Sequence, residues 1–260
     1  MKKLPAFILV CMPALAWCQQ TPDFTGTWSG VMTSQDNEYW DVEDFVCFSG
    51  CPRASYDYMS SMLDDPENDD VPTSVLNGRA YRHMHQHFTE IATEEGLKRQ
   101  TTNTEATNPS FYCEPYDYVK QVTNTLPMQI REENGHLVFQ YEEWNISRTV
   151  YMDGREAQAD LEHTAMGYSV GRYEGDTLVV QTTHVAPGLF YGYQTGGSHT
   201  DQLTGIERYT VRQKPRRLHL ELTLTDAVIL KEPLNVTKTW VSTPEVELLT
   251  DSCEDIPGQP

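Results

Sequence analysis

Residues 128–141 run Met128-Gln129-Ile130-Arg131-Glu132-Glu133-Asn134-Gly135-His136-Leu137-Val138-Phe139-Gln140-Tyr141. Two β-type runs flank Asn134-Gly135, a dipeptide suited to the left-handed backbone of a tight hairpin turn. The same grammar recurs downstream. Tyr168-Ser169-Val170-Gly171-Arg172-Tyr173 meets Leu178-Val179-Val180-Gln181-Thr182 across Glu174-Gly175-Asp176. Residues 147–152 form a strand turned by Asp153-Gly154, and further strands fall at 205–212, 217–225, 236–241 and 246–249. Upstream, Asp23-Phe24-Thr25-Gly26-Thr27-Trp28 opens a first strand in which a buried Trp28 would plug a barrel end. Eight or nine short β segments, with period two from Tyr116 onward and no helix after residue 113, predict a mainly β chain. The expected architecture is an antiparallel lipocalin-like barrel or strongly bent sheet. Closure removes the unpaired edges an open sheet exposes.

The 260 residues are 38% hydrophobic and 22% charged, a globular composition with enough chain for one large domain or two small ones. Nineteen basic residues against 38 acidic give a net charge of −19. Such a surface repels phosphate backbones and anionic membranes, so nucleic acid is not an expected partner. The start reads as an export signal: Lys2 and Lys3, an apolar run centred on Phe7-Ile8-Leu9-Val10, then small Ala14 and Ala16 before Cys18. Cleavage after Ala16 or after Cys18 both fit. Cys18 is alternatively a lipid-bearing cysteine, against which the bulky Trp17 argues. No later run approaches the ~18 apolar residues of a membrane helix. The expected organisation is a signal peptide at 1–18, a first strand region at 19–45, an acidic helical insertion at 46–112, a barrel or sheet at 113–255 and a tail at 256–260, in a periplasmic or secreted protein.

Export makes Cys47, Cys51, Cys113 and Cys253 disulfide candidates. Cys47–Cys51 would be a local clip and Cys113–Cys253 a long closure; the alternative is a metal site on Cys47-x-x-x-Cys51. Eleven acids against the single base Arg53 crowd residues 36–70, and a solvated loop is favoured over calcium there because no EF-hand spacing is present. Helices are expected at 52–63 and at 73–97, the latter stopped by Gly96. His83 and His87 share a helical face four residues apart, but lack the remaining ligands of a metal site, so no metal or other cofactor is assigned.

Several strings resemble a large group of exported bacterial proteins without a well-established activity. They are Gly26-Thr27-Trp28, Arg148-Thr149-Val150-Tyr151-Met152-Asp153-Gly154-Arg155, the run Gly167 to Val180, His199-Thr200-Asp201-Gln202-Leu203 with Glu207-Arg208, and Cys253-Glu254. The Gly-x-Trp opening is also similar to that of lipocalin-type barrels. The resemblance implies compartment and barrel and carries no catalytic residue.

No nucleophile elbow, His-Glu-x-x-His or phosphate loop occurs in the chain. His163, His184 and His199, with Glu207 or Asp201, are the acid–base candidates for an isomerase, dehydratase or hydrolase; three histidines from separate segments with Asp or Glu could alternatively ligate zinc. Glu207 and Arg208 are neighbours in a strand and must face opposite sides. An inward Glu207 needs a cationic partner such as Arg148 or Arg172, as a structural pair. The loop 185–198 is rich in glycine and aromatics, and a barrel mouth is a common ligand position. Tyr168, Phe190, Tyr191, Tyr193 and Arg208 are therefore the ligand-contact candidates. The leading expectation is an open-centred barrel gated by this loop and binding a small, mainly apolar molecule. The alternatives are the acid–base enzyme and an envelope protein-interaction module built on the acidic insertion.

Overall fold

A computed structural model describes residues 22–30, 51–52, 87–100, 114–124, 126–190, 197–213 and 216–249. The Asn134-Gly135 turn forms as the sequence predicts, with both residues at left-handed φ (52° and 77°). It joins strand β3 (Met128–Glu133) to β4 (His136–Tyr141) in the register Glu133 to His136. The second predicted hairpin joins β6 (Tyr168–Glu174) to β7 (Thr177–Thr183) through Gly175, at φ 61°.

The other strands are β1 (Gly26–Gly30), β2 (Cys51–Pro52), β5 (Ser147–Tyr151), β8 (Gly188–Phe190), β9 (Gly197–His199), β10 (Thr204–Arg212), β11 (Arg217–Thr225) and β12 (Leu234–Ser242). Nine of them close into a barrel in the order β1, β3, β4, β5, β6, β7, β10, β11, β12, with β12 returning to β1. The short β2 adds to β12 beside that seam, Cys51 opposite Thr237. β8 and β9 form a separate two-stranded ribbon. The turns at 134–135 and 175–176 and the end of β10 with the start of β11 gather at one end of the barrel, the turn end; the longer connections gather at the other, the loop end.

Alternation along each strand sorts the side chains. Leu218, Leu220, Leu222 and Leu224 of β11 and Val236, Lys238 and Trp240 of β12 point inward and are buried. Trp28 is fully buried and donates from Nε1 to Phe24 O at 3.0 Å, as a barrel-end plug should. Arg216 reaches over its ring (4.6 Å) and donates to the Asp23 and Thr25 carbonyls at 2.9 and 3.0 Å, pinning the entering chain.

Several expectations need correction. The barrel is not wholly antiparallel: β5 and β6 pair in parallel, Val150 opposite Ser169. Residues 152–167 carry the chain back between ends, and a parallel pair requires a connection of that kind. The stretch after residue 113 is not free of helix. Helix α2 (Tyr118–Thr123) begins at Asp117, which accepts from Lys120 N at 3.3 Å, and a 3-10 turn occupies Glu143–Asn145. Residues 246–249 are not a strand; Leu249 is 71% exposed. The helix expected over 73–97 is seen at 87–91, breaks at Ala92, which bridges to Leu230, and resumes as α1 (Glu94–Gln100). Gly96 lies inside α1 rather than ending it, because the Ile229 carbonyl packs where a side chain would project. The expected helix over 52–63, the acidic loop 64–70 and His83 and His85 lie outside the described residues, as do Cys47, Cys113 and Cys253; of Cys51 the backbone is described.

The Gly96 contact gives a clear sign. Helix propensity makes Gly96→Ala stabilising by about 1 kcal/mol, whereas overpacking against a fixed carbonyl costs about 1–3 kcal/mol. Equilibrium urea denaturation is expected to show net destabilisation.

Candidate functional site

The inward phase of β10 puts Gly205, Glu207 and Tyr209 inside the barrel and Arg208 outside. Glu207 has no exposed surface. Arg148, inward on β5, meets it with two parallel bonds, Nη1 to Oε1 at 2.8 Å and Nη2 to Oε2 at 2.5 Å. Tyr118 (2.8 Å) and Thr182 (3.2 Å) donate to Oε1, and Tyr209 donates to Oε2 at 2.5 Å. The Arg148 guanidinium lies over the rings of Phe139 (4.9 Å) and Tyr118 (5.5 Å). Gly205 makes room for Tyr118, whose hydroxyl fills the space a β-carbon would take. Burial pushes the Glu207 carboxyl up, but Arg148 and then the Tyr209 and Tyr118 hydroxyls outweigh it and hold the group below its ordinary 4.5. Burial and then the Glu207 charge push Tyr118 and Tyr209 well above the usual phenol range. Tyr141, at the same level, is pushed up to about 12, by burial first. Its hydroxyl has no hydrogen-bond partner among the described residues.

The result is an ionic lattice at the waist whose carboxylate is saturated. A carboxylate accepting from Arg148 and three hydroxyls has no lone pair left to take a proton from a substrate. Glu207 is thus held as the structural partner of Arg148, the first of the two cations the sequence offers; Arg172 points outward. The waist is also not hollow among the described residues. Phe139, Tyr209, Trp240 and Ile130 are fully buried in the interior, and so is Lys238, whose Nζ lies 5.2 Å over the Trp240 ring. An open-centred chamber is therefore corrected to a packed interior.

The other candidates are dispersed. His199, fully buried at the loop end, places Nε2 3.1 Å from Asp117 Oδ2. That oxygen also accepts from Leu189 N at 2.6 Å, while Thr200 donates from N and Oγ1 to Asp226. Gly188 is obligatory in this knot, since a β-carbon would overlap the Asp117 carboxylate. His163 and His184 pair with each other on the surface, ring centres 5.2 Å apart. Tyr168 stacks on Tyr151 (5.0 Å) on the outer face, and Arg208 bonds Glu174, which also takes Arg172. Neither lines the described cleft. Tyr191 and Tyr193, and the side chain of Phe190, lie outside the described residues.

The described cleft opens at the turn end, opposite the 185–198 loop. Its volume is about 310 Å³. Tyr173 forms its exposed aromatic wall, backed by the buried Phe24 ring on which it stacks (6.1 Å, 22°), with Leu137 and Met152 beside it. Asp23, Glu132 and His136 supply the polar rim. Its field is negative. Thr25 donates to Asp23 and is the main reason that carboxyl stays below its ordinary range, with Arg216 adding to it. The Tyr173 phenol is pushed up by burial and then by the charges of Glu132 and Asp23. Sequence reading missed Tyr173, Phe24 and Glu132 as a group because they come from three distant segments. It also missed Asp117, whose one local signal was its capping position before Tyr118-Val119.

No family model matches the chain, and comparison with curated proteins and with solved structures gives no significant match. The barrel and its sites therefore stand on their own geometry.

Removing one member of the waist pair leaves a buried charge. Glu207→Gln is expected to cost about 3–5 kcal/mol, while Arg148→Met with Glu207→Leu recovers most of it; a urea double-mutant cycle reads this. Because folding lowers the Glu207 value, its contribution is present above the ordinary 4.5 and is lost as pH falls through the folded value. Acid titration of the wild type is expected to show unfolding that the double variant lacks.

Proposed function

We propose that this chain is an exported, periplasmic barrel that binds a small molecule, mainly apolar and carrying one positive group, in the turn-end cleft. The observation that carries the reading is the exposed Tyr173 ring, backed by the buried Phe24 on which it stacks and flanked by the Asp23 and Glu132 carboxylates. A volume of about 310 Å³ lies at the lower end of ligand sites. A cation against an aromatic face gains about 0.5–2 kcal/mol, more as water is excluded. The carboxylates favour that charge and oppose an anion. Export rests on the Lys2-Lys3 leader with its short apolar run and small residues. Disulfides among Cys47, Cys51, Cys113 and Cys253 would follow from that compartment.

The acid–base reading has one supporting observation, the His199–Asp117 contact. His199 is fully enclosed and Asp117 already holds the Leu189 amide and the α2 cap. Binding is accordingly the reading the geometry supports best.

Native mass spectrometry of protein purified from periplasmic extract is expected to show a chain starting after residue 16 or 18 with a small bound mass. Tyrosine fluorescence titration with an arylalkyl ammonium probe should saturate, and the isosteric carboxylate should not. Tyr173→Ala and Glu132→Gln are each expected to weaken the ammonium probe about three- to tenfold. Equal binding of the carboxylate, or variants indistinguishable from wild type, would overturn the assignment.

A further inference from the structure

We propose that His163 and His184 form a binding site for a divalent first-row transition-metal ion of the copper, nickel or zinc type. The site is independent of the turn-end cleft. The two rings stand 5.2 Å apart, centre to centre, with their planes at 62°. Two imidazoles that share one ion through nitrogen at about 2.0–2.1 Å, at a near-tetrahedral angle, have centres about 5 Å apart.

The hydrogen bonds set the tautomer that a metal needs. His163 Nδ1 faces the Val185 carbonyl at 3.1 Å. A carbonyl only accepts, so Nδ1 carries the hydrogen and Nε2 carries the lone pair. Backbone carbonyls commonly hold metal-binding histidines in this way. His184 Nδ1 lies 2.9 Å from Thr183 Oγ1, which can accept its hydrogen and leave the second Nε2 free in the same sense.

The backbone around the pair is tied by hydrogen bonds and locally strained. Thr164 bridges Val185 in parallel, accepting from Ala186 N at 2.8 Å and donating its own N–H to His184 O at 3.0 Å. That bridge holds residue 163 beside residue 184. His184 itself sits at φ 55°, the left-handed region that a non-glycine residue enters at a cost of about 1–3 kcal/mol. The distortion ends β7 and turns the ring toward His163 instead of along the strand. His163 is exposed and His184 partly so, which leaves the remaining coordination positions to solvent or to an outside ligand. Imidazole nitrogen selects copper, nickel and zinc over the oxygen-seeking calcium and magnesium. The net charge of −19 raises the local concentration of any cation.

The test is a Cu(II) titration of the full purified chain, followed by electron paramagnetic resonance and calorimetry. One ion per chain with nitrogen hyperfine coupling is expected. His163→Ala and His184→Asn should each weaken that binding at least tenfold; asparagine tolerates the left-handed backbone, so the strand end is preserved. Unchanged thermal melting of both variants would show that a lost ligand, not a lost fold, is being read. His83→Ala with His87→Ala serves as the control and should leave binding intact. Wild-type affinity in the His163→Ala/His184→Asn double variant, absence of nitrogen coupling, or loss of binding in the control would each overturn the proposal.

Discussion

A carboxylate cannot stay ionised inside a barrel without a partner, and the pairing of Glu207 with Arg148 meets that demand across the sheet. The two residues are on β10 and β5, strands separated in the sheet by β6 and β7. Their bond therefore spans the interior rather than joining neighbours. Once it is made, Tyr118, Tyr209 and Thr182 have a fixed acceptor. Tyr118 then ties α2 to the waist, and Gly205 must stay bare to admit it. A packed, ionic middle excludes a through-going chamber, so any ligand site is pushed to the ends.

The two ends differ in character for the same reason that their connections differ. Tight turns leave the turn end shallow, with aromatic and acidic side chains at its mouth and Trp28 beneath. The loop end carries longer segments whose backbone polar groups need partners, and Asp117 and Asp226 act as acceptors for several of them at once. Acidic residues thus do different work at each end. At the loop end they are consumed as hydrogen-bond hubs; at the turn end Asp23 also accepts from Thr25 and Arg216, yet it and Glu132 stay at the rim of the cleft.

Much of the barrel was legible in the chain. Asn134-Gly135 and Gly175 supply positive φ at no steric cost, and the alternation of Leu218, Leu220, Leu222 and Leu224 names the inner face outright. Alternation put one of Glu207 and Arg208 inside without saying which; for an inward Glu207, the need for Arg148 or Arg172 followed from the cost of burying a lone carboxylate. The choice between those two arginines did not, because it depends on which phase of β5 and β6 faces inward once the sheet has closed. Lys238 was missed for a related reason: its inward position between Val236 and Trp240 is plain in the alternation, yet a lysine is expected outside.

By itself, the sequence determined most of the barrel strands, most of their turns, the inner face where apolar alternation is regular, as in β11, and the strongly acidic charge, because these rest on local backbone preference and period-two patterning. Only the tertiary structure decided that β5 and β6 run in parallel, that Gly96 serves a close contact rather than a helix stop, and that Phe24, Glu132 and Tyr173 share one cleft while His163 meets His184. Each of these depends on segments far apart in the chain approaching within a few ångströms. No local propensity encodes such an approach; it is fixed when the barrel closes and its interior packs.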